Sequence, residues 1–163
     1  VGTVANHAVL DAVTVANLEI FQAQRDGRKK GSLLWVLDKT VTAPGGRKLR
    51  EWLQRPLRAT ELIAERQDAV GELLQSSRAR QRLQGLLAQV GDPERVLSRA
   101  VLGVLTPREA ASLRSGLQQV PAILAEFSEA TASCLRELST VDPVIDLAED
   151  LELTLEETPA VSV

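Results

Sequence analysis

The chain has 163 residues, 44% of them hydrophobic and 25% charged, which suits one globular unit with a sizeable core and falls short of two comfortable domains. A single cysteine, Cys134, and a single histidine, His7, exclude a disulfide framework and a Cys/His zinc site within the chain. No run approaches the roughly 20 apolar residues of a membrane span, and no signal-peptide pattern opens the sequence, so we expect no membrane association.

The formal net charge of −3 is unevenly distributed along the sequence. From Arg25 to Arg58 there are ten Lys/Arg and three Asp/Glu, whereas from Glu126 to Glu157 there are ten acidic residues and one basic residue. This asymmetry is typical either of a nucleic-acid surface or of basic and acidic surfaces that bind each other or a neighbouring domain. We favour the second interpretation.

Residues 1–24 form a lead-in with large and β-branched apolar residues that partly alternate through Val13 and Val15. Strand competes with helix only here, and one or two short strands are expected. A polar, basic loop follows, and Ser32 is the predicted N-cap of a short helix over the run SLLWVLD.

The stretch from Gly31 to Leu57 contains both tryptophans of the chain, Trp35 and Trp52. Aromatic side chains bury large apolar surfaces, and only 2% of the residues are aromatic. We therefore expect the two indole rings to be buried and to fix how the neighbouring helices pack.

A Thr-rich turn with Pro44 divides this stretch, since proline suits the first turn of a helix. Leu49, Trp52 and Leu53 then follow the i, i+3, i+4 spacing of a buried helical stripe. Pro56 ends this amphipathic helix.

A longer helix is predicted from Thr60 to about Gln75, with Arg66 in the middle of its apolar face. An unpaired buried guanidinium costs several kcal/mol. The side chain therefore either extends to solvent along its apolar stem or binds an acidic or carbonyl partner. We hypothesise that Arg66 pairs with Asp38.

The remaining helices are predicted from their start and stop signals. They are residues 78–90, a helix after Asp92-Pro93 that Gly103 ends, a helix after the capping box of Thr106, helical residues kinked or divided by Pro121, and a short helix after Asp142-Pro143. Residues 149–163 lose periodicity and are expected to fray. The predicted fold is an all-α, irregular array of seven or eight helices with a short extended N-terminal segment.

No catalytic constellation is present: His7 has no neighbouring nucleophile, and Cys134 lies on an apolar helical face. Residues 43–48 place two glycines and two basic residues near a helix start, but they do not match the Walker pattern GxxxxGK[ST]. Contact with a DNA backbone is one interpretation of this basic helix, and a domain interface is the preferred one. The candidate side chains for DNA contact are Arg47, Lys48 and Arg50.

Four sequence patterns occur in order: GSLLWVLD, then TVTAPGGRKLREWLQRPL, then ERQDAVGELL, and DPERVLSRAVLG. The earlier NLEI at residues 17–20 completes the set. Together they resemble the core domain of the MutS family of DNA mismatch-repair proteins. The positions that carry the resemblance are Gly31, Leu34, Trp35, Leu37, Asp38, Thr42, Gly46, Leu49, Trp52, Leu53, Pro56, Arg66, Asp68 and Arg99.

The resemblance implies a parent protein that is a DNA-dependent ATPase recognising mispairs and small insertion/deletion loops, with ATP and Mg²⁺ bound outside this segment. Residues 1–24 would be the end of a connector, and residues 25–163 a helical core, truncated before the clamp and the ATPase, that couples the two. No catalytic, cofactor or metal residue is implied within the segment.

Trp35 and the runs KGSLLWVLD and GRKLREW are most similar to the eukaryotic MutS homologue 3. That subfamily implies a nuclear protein with MutS homologue 2 as its heterodimer partner, or a cytoplasmic one if the source is bacterial. An independent helical adaptor and a stand-alone helical DNA-binding domain are the competing interpretations.

Overall fold

The structure is a computed structural model that describes residues 6–155, and these form ten α-helices and one isolated β-bridge. The all-α array is confirmed; the count exceeds seven or eight because several segments are only five or six residues long. In chain order the helices are α1 (Ala12–Asn17), α2 (Leu33–Leu37), α3 (Ala43–Gln54), α4 (Thr60–Gln75), α5 (Ser77–Val90), α6 (Pro93–Val101), α7 (Pro107–Leu117), α8 (Val120–Ala125), α9 (Ser133–Leu138) and α10 (Ile145–Thr154).

The chain divides into two compact units, the N-terminal unit (Val1–Arg66) and the C-terminal unit (Gln67–Val163). Helix α4 begins in the first unit and ends in the second. No helix among residues 6–155 is long and apolar enough to cross a membrane.

The strand expected around Val13 and Val15 is wrong, because both residues lie in α1. Asp11 caps this helix: its carboxylate accepts the Thr14 amide at 2.6 Å. Within residues 6–155, extended pairing is limited to the bridge between His7 and Leu57. Residues 1–5 of the predicted lead-in lie outside the described part of the chain.

The buried residues of the N-terminal unit surround the start of α2. Ser32 is fully buried and caps α2, as predicted, by accepting the Trp35 amide at 3.2 Å. The carbonyls of Glu19 and Ile20 accept the first two amides of the helix, those of Leu33 and Leu34, each at 2.9 Å. The NLEI segment therefore satisfies amides that a helix N-terminus leaves without an internal partner, and this places Ile20 beside Leu34 in the interior.

Helix α3 starts at the predicted place. The Thr42 hydroxyl accepts the Gly45 amide at 3.0 Å, and Pro44 occupies the first turn. The helix ends before Pro56.

The C-terminal unit has a contiguous apolar core drawn from α4, α5, α9 and the segment between α8 and α9. Its members are Ala69, Leu83, Phe127, Ala132 and Leu135, each no more than 8% exposed. Pro121, predicted to kink or divide helical residues, lies in the first turn of α8. A turn that brings Phe127 into this core separates α8 from α9.

Two helix starts in the C-terminal unit, those of α7 and α10, differ in how they are capped. The Thr106–Glu109 capping box of α7 is present with both of its hydrogen bonds. Helix α10 instead begins at Ile145 after Val144, which has a left-handed φ of 54°. The expectation that residues 149–154 fray is wrong, since α10 continues through Thr154, and residues 156–163 lie outside the described part of the chain.

Candidate functional site

The two tryptophans lie on the surface of the N-terminal unit, not in a buried packing centre. Trp35 is 47% exposed and Trp52 is 42% exposed. Because α2 has only five residues, just one of its large side chains, Leu34, points into the interior, and Leu37 is exposed as well. The prediction that the two rings are buried is wrong.

The Trp52 ring is covered on one face by Arg66, whose guanidinium carbon lies 4.0 Å from the ring centroid. The hypothesis that Arg66 pairs with Asp38 is wrong, because each group has another partner. The Asp38 carboxylate accepts from Lys29 Nζ at 2.8 Å and from Thr40 Oγ1 at 2.7 Å. These two hydrogen bonds lower the pKa of Asp38 to about 2. An aromatic face can satisfy a half-buried guanidinium without a second charge, which is why no carboxylate is required at Arg66.

The three basic side chains proposed to contact DNA lie on the exposed surface of α3 and are engaged within the protein. Lys48 Nζ binds Glu51 at 2.9 Å, and Arg50 stacks over the Phe21 ring at 4.2 Å. Arg47 also has a contact within the chain. A phosphate would compete with all of these contacts, so the geometry favours a structural role or a domain interface over a preformed DNA groove.

The glycine-rich start of α3 does not fit a nucleotide phosphate. The Gly45 amide is used by the Thr42 hydroxyl and the Gly46 amide by the Thr42 carbonyl, at 3.0 Å in both cases. A Cβ at Gly45 would lie 2.8 Å from Thr42 Oγ1. The small residue therefore makes room for the N-cap, and no cradle of free amides remains for a phosphate.

Arg99, the last motif residue, lies in the C-terminal unit and ties α6 to α7. Its Nε lies 2.6 Å from Glu109 Oε1, off the hydrogen-bond line, and its Nη2 donates to the Val104 carbonyl at 2.7 Å. Glu109 Oε2 also accepts the Thr106 amide at 3.0 Å. The Thr106 amide and then Arg99 lower the pKa of Glu109 to about 2.

Several other motif residues are only half-buried or are exposed. Leu49, Leu53 and Pro56 are half-buried, whereas Asp68 is exposed on α4. Gly31 has a φ of +96°, a backbone conformation that few other residues adopt.

Glu72 makes long-range hydrogen bonds that were not predicted from the sequence. Its carboxylate accepts the Ala132 amide at 2.7 Å and both the amide and hydroxyl of Thr131, so from a distant helix it holds the two residues that precede α9. These bonds, led by the Ala132 amide, lower the pKa of Glu72. No local pattern around residue 72 signals a partner sixty positions away.

Within residues 6–155 no three His, Cys, Asp or Glu side chains converge in a way that could hold a metal ion. The motif residues instead cap helices, form ion pairs and stack on rings. They define an all-α domain whose characteristic sequence positions maintain its internal geometry.

Residues 13–163 match the MutS domain III family. The chain is 44% identical over 155 residues to the DNA mismatch repair protein MutS of Synechococcus sp. (strain JA-2-3B'a(2-13)), which covers 94% of the chain and 18% of that protein. It is 41% identical over 157 residues to the protein of the same name from Desulforamulus reducens, covering 96% of the chain and 18% of the relative. For the MutS of Nostoc punctiforme the identity is 40% over 160 residues, or 98% of the chain and 18% of the relative.

The chain therefore belongs to the MutS domain III family, and the family resemblance predicted from the four motifs is confirmed. It spans about a fifth of the length of these relatives. The relatives named are bacterial, so they give no support to a specific likeness to the eukaryotic homologue 3.

Proposed function

We propose that this domain is the helical core of a DNA mismatch-repair protein and couples the ATPase of that protein to its grip on DNA. The observation that carries the proposal is the match to MutS domain III across residues 13–163. In this proposal residues 1–24 are the end of a connector and residues 25–163 form the core. The parent protein binds mispaired or looped duplex DNA, and its ATP and Mg²⁺ are held outside this segment.

The internal contacts support a transmitting role. A coupling element must keep its internal geometry while it changes position relative to its neighbours. Arg99 and Glu109 tie α6 to α7, and Glu72 holds the start of α9. In the N-terminal unit the backbone of residues 19–20 is bonded directly to α2. These directed contacts favour a stiff array over a flexible adaptor.

The basic face of α3 is proposed to meet a neighbouring domain, with direct DNA backbone contact as the second candidate. The internal partners of Lys48 and Arg50 favour the domain interface. Replacing Arg47, Lys48 and Arg50 by Ala in the full-length protein should leave the salt dependence of DNA binding unchanged. A shallower slope of log Kd against log salt, by about one for each lost phosphate contact, would assign the three side chains to DNA.

The bacterial relatives favour a bacterial parent, and hence a cytoplasmic one, over the nuclear alternative with MutS homologue 2 as partner. Purification of the full-length protein at native abundance, followed by mass measurement of its complexes, distinguishes these. Co-purification of a second, different MutS-family chain would restore the heterodimer.

The central test uses the full-length gene product and a duplex with a single mispair. Wild type should bind this duplex and release it when ATP is added. Trp35→Ala and Trp52→Ala, on the surface of the N-terminal unit, should slow or uncouple ATP-triggered release, whereas Gln81→Ala, at an exposed position of α5, should not. Unchanged release and unchanged melting temperature in both tryptophan variants would reject the coupling role.

The competing classes predict different genes and different behaviour. A Walker loop encoded downstream of this segment supports the MutS interpretation. A gene that ends after this domain would favour an independent adaptor or a stand-alone DNA-binding domain, and salt-sensitive duplex binding by the isolated chain would select the latter.

A further inference from the structure

The turn that joins α6 to α7 presents four exposed apolar side chains, which we call the α6 tip: Leu97 (52% exposed), Val101 (88%), Leu102 (73%) and Val104 (50%). Leu97 and Val101 are one helical turn apart and share a face of α6. Leu102 and Val104 continue this surface past the end of the helix. Single exposed apolar residues are ordinary, but four that adjoin at one turn are typical of an interaction site.

The backbone of the α6 tip is held at both sides of the turn. The Gly103 amide donates to the Ala100 carbonyl and the Val104 amide to the Arg99 carbonyl, each at 3.0 Å, with Gly103 at a φ of +69°. This is the helix-ending arrangement in which glycine takes the left-handed position.

The Arg99 side chain adds a third bond to the same turn, because it donates to the Val104 carbonyl at 2.7 Å while also pairing with Glu109. Both polar backbone groups of Val104 are therefore fixed by one residue. An apolar anchor on a pre-ordered backbone loses little conformational entropy when it binds, which is the property that distinguishes strong interface residues.

The charges beside the α6 tip are basic. Arg95 on α6 and Arg108 on α7 have exposed side chains, while the nearby Glu109 is paired with Arg99 and Glu94 is also engaged in a contact. Asp92 caps α6 through the Arg95 amide and has a further contact of its own. A binding surface that complements this region is apolar at its centre and carries carboxylates at its edge.

We propose that the α6 tip inserts into an apolar, carboxylate-edged pocket on another folded part of the same polypeptide. This inference rests on the proposed function, because it requires a parent protein as long as the relatives, of which this chain covers 18%. The length of chain outside the structure makes an intramolecular surface the occupant to test first, and the basic edge specifies its charge. Exposed in this domain, the tip would be buried in the full-length protein.

The experiment compares thiol labelling of Val101→Cys in the full-length protein and in the present chain, read by peptide mass spectrometry. Gln81→Cys is the control, since Gln81 is exposed on α5 and is not part of the α6 tip. Both cysteines should label at similar rates in the chain. In the full-length protein Val101→Cys should label at least about tenfold more slowly than in the isolated chain, as expected for a group exposed only when an interface opens. The labelling rate of Gln81→Cys should be unchanged.

Several results would overturn the proposal. Equal labelling of the two cysteines in the full-length protein rejects a covered tip. Protection that disappears on dilution assigns the tip to a second copy, and protection that requires added DNA assigns it to the DNA-bound state. Slow labelling of Val101→Cys already in the isolated chain means that the tip is not exposed there.

A second variant tests the charge of the pocket. Replacing Arg95 and Arg108 by Glu should restore fast labelling of Val101→Cys in the full-length protein and change nothing in the isolated chain. No effect of the double charge reversal would reject the carboxylate edge. Mispair binding and ATP hydrolysis are measured on the same samples. A full-length protein that lacks both activities would contradict the proposed function. The labelling result would still show whether the α6 tip is covered.

Discussion

The two compact units of this chain are stabilised in different ways. The C-terminal unit buries a contiguous apolar cluster around Phe127, whereas the buried residues of the N-terminal unit are few and surround the start of α2. Nearly half of the large apolar side chains that the structure describes in the N-terminal unit are exposed, both tryptophans among them. Its geometry depends on caps, on ring stacking and on the bonds from residues 19–20 to α2.

This difference indicates where each unit is vulnerable. Apolar burial is non-directional and sensitive to volume, so the C-terminal unit should respond to packing changes. Caps and charged contacts are directional and sensitive to protonation or loss of one partner, so the N-terminal unit should respond to these. Fluorescence separates the two responses, because the chain has no tyrosine and both tryptophans lie in the N-terminal unit.

The largest expected effect is that of Gly116→Ala in α7. Gly116 is buried, and a Cβ there would clash with the Val90 carbonyl oxygen and lie 3.0 Å from the carbonyl carbon. Backbone cannot move aside as a side chain can, so overpacking should lower the free energy of unfolding by about 1–3 kcal/mol. Urea denaturation followed by circular dichroism measures the loss, and tryptophan fluorescence should report a smaller one.

Gly85→Ala in α5 is the matched control for this substitution. Gly85 is also a helix-interior glycine, but a Cβ there would meet nothing within 4 Å. Alanine should therefore stabilise the protein, by up to about 1 kcal/mol, because it favours helix. Equal losses of stability by the two probes for Gly116→Ala would contradict the separation of the units.

The local part of this fold could be predicted from the sequence because its signals are local. The N-caps Ser32 and Thr42, the capping box at Thr106 and the helix stop at Gly103 each depend on residues within a few positions of one another. Family membership could be predicted from the same motifs, because their residues and spacing can be read from the sequence without knowledge of the packing.

The contacts that could not be predicted join distant positions. Glu72 binds the Ala132 amide, just before α9, sixty residues away in the sequence, and Gly116 is small because of Val90 on another helix. The prediction that the tryptophans are buried failed for a related reason. Composition makes them the best candidates for a core, but the five-residue α2 has only one inward position for a large side chain. The sequence left open whether Arg66 extends to solvent or binds a partner, and the partner in the structure is the ring of Trp52, not the Asp38 carboxylate.

A smaller effect is expected from the Arg66–Trp52 stack, measured as a double-mutant cycle with Arg66→Gln and Trp52→Leu. Trp35 remains as the fluorescent probe in all four proteins. The coupling energy should be about 0.5–1 kcal/mol, the range of a partly exposed cation–π contact.

The control cycle replaces Trp52→Leu by Asp38→Asn. Because Asp38 binds Lys29 and Thr40, its coupling to Arg66 should be close to zero. A larger coupling to Asp38 than to Trp52 would reinstate the ion pair and remove ring stacking as a source of stability in the N-terminal unit.

The last effect, which appears only on acidification and addresses both units, is the pH dependence of stability caused by Asp38 and Glu109. Their pKa values are lowered from 3.8 and 4.5 to about 2 in the folded protein. A lowered folded-state pKa means that the unfolded chain takes up protons first, so the stabilisation is complete above about pH 4.5 and is lost as the pH falls towards 2. Asp38→Asn should flatten the acid slope seen by tryptophan fluorescence, and Glu109→Gln the slope seen by circular dichroism. If either substitution flattened both slopes equally, the two carboxylates would stabilise one cooperative structure. The two units would then differ in their contacts but would not unfold separately.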